Sequence, residues 1–290
     1  MNTKMTLNEQ VNEIMLSKLS KRQKKEAIVK LGIRDKEADF LIKMNETFDA
    51  YALTFGVEIE CYNVVRERLI EAAQRRRLQM QSQGYNHDDS RRFYKLVSDS
   101  SIRGENSCEC VSPILKGASG IDSLRGVCEA LNEIGAEVNK STGLHIHFDA
   151  RGISEKHFCR IVKNYRRVEK AIDSFMPESR QGNNNYYCGS LQGEEIDDIC
   201  TRDGLIQHLE SRYYKVNVQA FRRHGTIEFR QHSGTTDFTK IERWIFFLRK
   251  LIAFSEKNEL GGGINTIEEL PFLTDEDKVY FINRRTQLAN

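Results

Sequence analysis

The stretch Phe55-Gly56-Val57-Glu58-Ile59-Glu60 constrains the chain more than any other. Its apolar and acidic residues alternate with the two-residue period of a β-strand, so Val57, Ile59 and Cys61 share one face and Glu58 and Glu60 the other. Two carboxylates on one strand face stand about 7 Å apart by strand geometry, and they repel unless water or a cation intervenes. A polar face of that kind is a poor core and a good holder of Mg2+ or Mn2+, which take oxygen ligands.

The same alternation recurs along the chain. Residues 92–98 read as a strand leading to Asp99, and 105–112 as another, stopped by Pro113. In the second, Glu109 faces away from Cys108 and Cys110. In 143–149, Leu144, Ile146 and Phe148 face a core while His145, His147 and Asp149 face the other way. A Cys-x-Cys followed by a His-x-His invites a zinc reading, but the spacing is not that of compact zinc modules. Both cysteines suit an apolar face instead. Residues 214–221 and 225–231 read as a hairpin with His224-Gly225 in its turn. Lys215, Asn217, Glu228 and Arg230 lie on its polar side, and Arg222 and Arg223 at its tip.

Helical periodicity marks 11–19, the stretch ending at Gly32, 34–48, 64–83, 121–134, 154–176 and 238–254. The basic run 18–25 and Arg75-Arg76-Arg77 read as solvated helix faces. Residues 84–90 read as a loop. Residues 177–200 form a long polar loop of the kind that can serve as a lid. After Gly261-Gly262-Gly263, a capped helix begins near Thr274.

Together these strands predict an α+β fold, an antiparallel sheet with helices on one face and a concave polar face opposite. That face would gather Glu58, Glu60, Glu109, His145, His147, Asn217, Glu228 and Arg230. Four carboxylates on one surface cannot all ionise unaided, and two divalent cations would relieve the repulsion. An arginine beside such metals points to phosphate chemistry. The 290 residues carry a net charge of only +2, which gives no reason to expect a nucleic-acid partner. No apolar run approaches the ~20 residues of a membrane helix, and residues 1–10 lack a secretory signal's apolar core. Seven cysteines without a framework spacing read as reduced thiols, so a cytoplasmic protein is expected.

The ordered set Phe-Gly-x-Glu-x-Glu, Glu-x-x-Ser-Pro, Gly-x-His-x-His and Gly-Thr-Ile-Glu-Phe-Arg resembles the amidoligase family. That family lies within the glutamine synthetase and glutamate–cysteine ligase superfamily of carboxylate–amine ligases. The resemblance covers about 50–256. It implies a catalytic domain over 50–258 like that of glutamine synthetase, flanked by a helical extension over 1–48 and a partly helical tail over 259–290. It makes Glu58, Glu60, Glu109, His145 or His147, and Glu228 the metal-ligand candidates. ATP and Mg2+ (or Mn2+) are the implied cofactors. Arg230 would stabilise the transferring phosphoryl group, with Arg222, Arg223, Asn217 and Lys215 as further nucleotide-binding candidates. Asp99, between strands, falls on the amine side, and with Arg230 and Glu109 it completes the catalytic candidates. The implied reaction joins a small-molecule or peptide carboxylate to an amine through an acyl phosphate. A metal-dependent phosphotransferase or hydrolase on the same cluster, or a catalytically silent binding protein, are the alternatives.

Overall fold

The structure, a computed structural model, describes residues 5–45, 49–83 and 92–289; the loop expected over 84–90 lies outside the described residues. Three short helices come first: α1 (Leu7–Leu16), α2 (Lys21–Lys30) and α3 (Asp35–Met44). Capping boxes start two of them, Thr6 with Glu9 and Ser20 with Gln23, each satisfying backbone N–H groups that a helix start leaves free. There follow β1 (Phe55–Cys61), α4 (Arg66–Arg75), β2 (Met80–Ser82), β3 (Tyr94–Val97), β4 (Cys108–Val111), α5 (Gly117–Glu133), β5 (Gly143–Asp149) and α6 (Glu155–Asp173). Then come α7 (Arg202–His208), β6 (Val216–Asn217), α8 (Ala220–His224), β7 (Thr226–Ser233), α9 (Phe238–Lys257) and α10 (Asp275–Ala289).

The strands form one seven-stranded sheet in the order β2-β3-β4-β1-β5-β7-β6, antiparallel except for the β2–β3 pair. Its apolar face, with Val57, Ile59, Cys110, Ile146, Phe148 and Phe229, shares one core with residues of α5, α6 and α9 such as Leu124, Tyr165, Trp244 and Leu248. Cys108 and Cys110 are buried in this apolar layer, and no zinc-type group of cysteines occurs among the described residues. The motif serine Ser112 ties β4 to β1 where Pro113 has no N–H to offer. Its N–H donates to the Val57 carbonyl at 2.8 Å, and its hydroxyl accepts from the Val57 N–H at 2.8 Å.

Two sequence expectations need correction. The helix expected over 64–83 ends at Arg75, and Arg77 takes a positive φ of 60° before the chain turns into β2. Arg75 and Arg76 are held by Glu133 on α5, Arg76 at 2.7 Å, so this basic run is tied to its neighbour. The hairpin strand expected over 214–221 shrinks to Val216–Asn217. The Asn217 carbonyl oxygen of the side chain accepts from the Gln219 N–H at 2.9 Å and turns the backbone into α8. Gly225, at φ +71°, closes that helix in a conformation costly for a side chain with a β-carbon.

The helices of the N-terminal stretch sit on the same core as the sheet: Val11, Met15, Ile28 and Leu41 belong to it. Glu9, 1% exposed, anchors α1 twice, accepting from the Thr6 N–H at 2.6 Å and pairing with Arg125 of α5 at 2.5 Å. At the other end Phe281 of α10 packs on Phe175, with ring centroids 4.6 Å apart. Glu9→Ala removes a cap and a buried partner of Arg125. It should lower the unfolding free energy by about 3 kcal/mol. Urea denaturation should still show a single transition; an unchanged midpoint would mean that α1 is not integral to the fold.

Candidate functional site

Strand register assembles the polar face in rows. Gly56, His147, Glu228 and Asn217 lie side by side across β1, β5, β7 and β6. Val111, Glu58 and His145 form the next row across β4, β1 and β5, and Val97, Glu109 and Glu60 a third across β3, β4 and β1. A bulge in the β5–β7 pairing falls between Leu144 and Ile146, opposite the stretch that holds Arg230. Bulges re-aim side chains at sites of this kind.

The acidic and imidazole groups meet. Three sets of donor atoms, each within 4.8 Å of one another, form a continuous chain: Glu58, His147, Glu228; Glu58, Glu109, His145; and Glu60, Asp99, Glu109. His145 Nδ1 lies 3.0 Å from Glu58, and its Nε2 lies 3.4 Å from Glu60. His147 Nδ1 is bound to Thr226 Oγ1 at 3.0 Å, while its buried Nε2 has no hydrogen-bond partner among the described residues and faces Glu58 at 3.4 Å and Glu228 at 3.8 Å. The carboxylates are themselves positioned. The Gly143 N–H donates to Glu60 at 2.6 Å, the Asn217 amide donates to Glu228 at 2.6 Å, and Arg230 pairs with Glu228.

Electrostatics follow from this crowding. Burial alone would raise the Glu58 carboxyl, but His147 and His145 outweigh it and hold it well below its usual range. Burial likewise opposes the charge on Glu228, and Arg230 and the histidines bring it down. Glu109 has no such cation. Burial, with Glu58, Glu60 and Asp99 adding, pushes it well above the usual carboxylate range. The cluster therefore holds more acid than its own cations neutralise.

Not every candidate comes to this place. Lys215 is fully buried on the helical side, with Nζ 2.8 Å from Glu169 and 2.7 Å from Asp173 of α6. It is a buried cation paired with α6 and does not lie on the polar face with the cluster. Arg222 and Arg223 are exposed on α8 and do not line the cavity at the cluster. Asp149 is drawn off by Arg151 at 2.9 Å. Asp99 reaches the cluster, with one oxygen accepting from the Ser101 N–H and hydroxyl at 2.7 Å each.

Beside the cluster lies a cavity of about 160 Å³, walled by Glu60, His145 and Arg230 and by groups the sequence reading missed: Arg180, Arg212, Tyr187 and Tyr213. Arg180 and Tyr187 belong to the loop considered as a lid. That loop is a packed wall in this structure. Cys188, Leu191 and Ile196 are buried, and Leu191 N–H donates to Glu169 at 2.9 Å. Arg180 is 3% exposed and lies over Gly143. A β-carbon there would come within 2.9 Å of His145 Nε2 and 3.2 Å of the Arg180 guanidinium, so the motif glycine gives both groups their place.

A family model described as "Putative amidoligase enzyme" matches residues 51–252. No curated protein matches the chain. Among solved structures, one titled "Crystal structure of novel glutamine synthase homolog" aligns at 10% identity and a TM-score of 0.36, covering 87% of this chain. The chain spans 66% of the length of that structure's chain.

Lys215→Met leaves Glu169 buried without its cation and should destabilise the protein by about 3–5 kcal/mol in urea unfolding. Wild-type stability combined with weakened Mg-ATP binding would instead place Lys215 at a nucleotide.

Proposed function

The chain belongs to the amidoligase family, and on that premise we propose that it is an ATP-dependent carboxylate–amine ligase acting through an acyl phosphate. The observation that supports this most is the chain of three donor sets beside an arginine-lined cavity. The donor chemistry fits hard divalent cations: carboxylate oxygens predominate, and the unbonded His147 Nε2 is available to ligate. Glu58, His147 and Glu228 would hold one Mg2+ or Mn2+, and Glu60 and Glu109, with His145 or Asp99 beside them, a second. Bound there, the ions would neutralise phosphate oxygens and polarise the phosphoryl group to be transferred.

The remaining work falls to the chain's own residues. A carboxylate is a poor electrophile, so an oxygen of the acid attacks the terminal phosphorus of ATP and ADP departs. Arg230, paired with Glu228, would grip the oxygens of the moving phosphoryl group. The amine then attacks the acyl carbon, the carbon–oxygen bond to phosphate breaks, and the amine's surplus proton passes to the Asp99 carboxylate. The packed wall of 177–200 limits water at the acyl phosphate.

An ATP-consumption screen against acids and amines, read by product mass, tests this directly. Turnover should require both co-substrates together. ATP loss with water alone would favour a hydrolase on the same cluster.

Two variants sharpen the test. Mg2+ at 100 times its Kd should stabilise the wild-type protein by about 2.7 kcal/mol, and Glu58→Gln, which removes a ligand shared by two donor sets, should abolish that gain. Thermal melts with and without Mg2+ measure it. Arg230→Lys should keep the fold and the Mg2+ response but lower kcat at least ~100-fold, because lysine cannot match the planar two-point grip. Near wild-type turnover would reduce Arg230 to a neutralising partner of Glu228.

A further inference from the structure

Buried donors without acceptors collect on the helical side of the sheet, where α1, α9 and the start of α5 come together. Arg249 of α9 is 1% exposed and Asn12 of α1 is fully buried. The Nη1 of Arg249 donates to Asn12 Oδ1 at 3.2 Å. Its Nε and Nη2, and Asn12 Nδ2, have no hydrogen-bond partner among the described residues. The rings of Phe55, Phe246 and Tyr51 flank the guanidinium, with centroids 4.9, 5.2 and 6.0 Å away. Ring faces attract a cation but offer no oxygen to its in-plane N–H groups. The acids of this neighbourhood are engaged elsewhere. Asp49 accepts from the Tyr51 N–H at 3.0 Å, and Glu9, one turn before Asn12 on α1, pairs with Arg125.

All three orphan atoms are donors, so the partner they lack is an acceptor. The backbone beside them has the same need. α5 is 17 residues long, and Lys116 at its N-cap makes no side-chain cap hydrogen bond. The N–H groups that open a helix carry partial positive charge and favour an anion. Asn12 Nδ2 lies 3.9 Å from where a β-carbon on Gly117 would stand, so the orphan amide sits against this helix start. Phe55, whose ring lies under the guanidinium, exchanges backbone hydrogen bonds of 2.9 and 2.8 Å with Leu115, just before that start. Guanidinium, amide and helix start therefore share one buried place. Burial brings the Arg249 pKa down only to about 10, so the group is charged at neutral pH.

We propose that Arg249, Asn12 and the start of α5 bind a compact monovalent anion of the chloride class, and that this anion fastens α1 to the core. Nε and Nη2 lie on one edge of the guanidinium and point the same way, so a single acceptor meets both. Asn12 Nδ2 and the leading N–H groups of α5 complete its shell. One negative charge offsets the one buried cation, whereas a divalent oxyanion would bring a second charge among aromatic rings with nothing to balance it. The site shares no residue with the carboxylate cluster, so it stands or falls apart from the ligase reading.

The test is thermal melting of the full-length protein in sodium gluconate, titrated with sodium chloride at constant ionic strength. Chloride should raise the melting temperature saturably, by roughly 5 °C at 100 times its Kd. Bromide should act in the same way, and bromide-soaked crystals should show an anomalous peak beside Arg249 Nη2 and Asn12 Nδ2. Asn12→Asp supplies a fixed carboxylate next to Arg249. That variant should melt in gluconate at or above the wild-type temperature in chloride, and it should lose the chloride response. Arg249→Met should lose the response too; where it does not fold, Asn12→Asp and the bromide soak still decide. Equal stabilisation by chloride, gluconate and sulfate is a general salt effect and overturns the proposal. Ordered water in place of bromide overturns it as well. So does an Asn12→Asp protein that melts below the wild type in gluconate, or inorganic phosphate held at Arg249 in preference to chloride.

Discussion

Carboxylate crowding on one sheet face is the constraint to which the rest of this structure answers. Glu58, Glu60, Glu109 and Glu228 are brought together by strand register, at or next to paired positions on β1, β4 and β7. Such an arrangement opposes folding unless each charge finds a neighbour. Three of the four do: the Gly143 N–H and His145 meet Glu60, histidines lower Glu58, and Arg230 with the histidines lowers Glu228. Glu109 does not, and its raised proton affinity is the residue of repulsion that the protein leaves unresolved.

The uneven neutralisation has a direction. At the β7 end, Arg230, Asn217 and Thr226 all attach to members of the cluster and hold them in place. At the β4 end the acids stand beside one another, and Asp99 approaches from the loop after β3. Around the cavity the balance reverses, with Arg180, Arg212 and Arg230 in its wall. Acid on one side and arginine on the other, joined at the Arg230–Glu228 pair, make a gradient suited to ligands of both signs. Cations belong with the carboxylates and anionic oxygens with the arginines.

Much of this was legible in the sequence because it depends on a period of two. Alternation in 55–61, 108–111, 143–149 and 226–230 named the four glutamates and both histidines and put the cysteines in the core. What was not legible has identifiable causes. Lys215 has the same parity as Asn217, yet the strand around it is only two residues long, and parity means nothing where a ladder does not continue. Arg222 and Arg223 sat on an expected hairpin tip that is a helix, because an asparagine side chain captured the backbone at Gln219. Arg180 and Arg212 lie outside the strands, where no periodicity points at a cavity. Only the glycine of Gly143-Leu144-His145 hinted that something must approach the backbone closely there.

The fold and the site are therefore one specification. Sliding β1 by one residue against β5 would move Val57 and Ile59 out of the core and carry Glu58 and Glu60 into it, beneath α5, α6 and α9. The penalty would come twice, from apolar surface returned to water and from carboxylates desolvated without partners. No register between the native one and the next even shift escapes both costs. An even shift keeps the faces but unseats Ser112 from Val57 and the Gly143 N–H from Glu60, contacts that fix β4 and β5 to β1 at single positions. The residues that would carry chemistry thus also help the sheet choose its pairing, and a substitution among them is read out in folding as well as in catalysis.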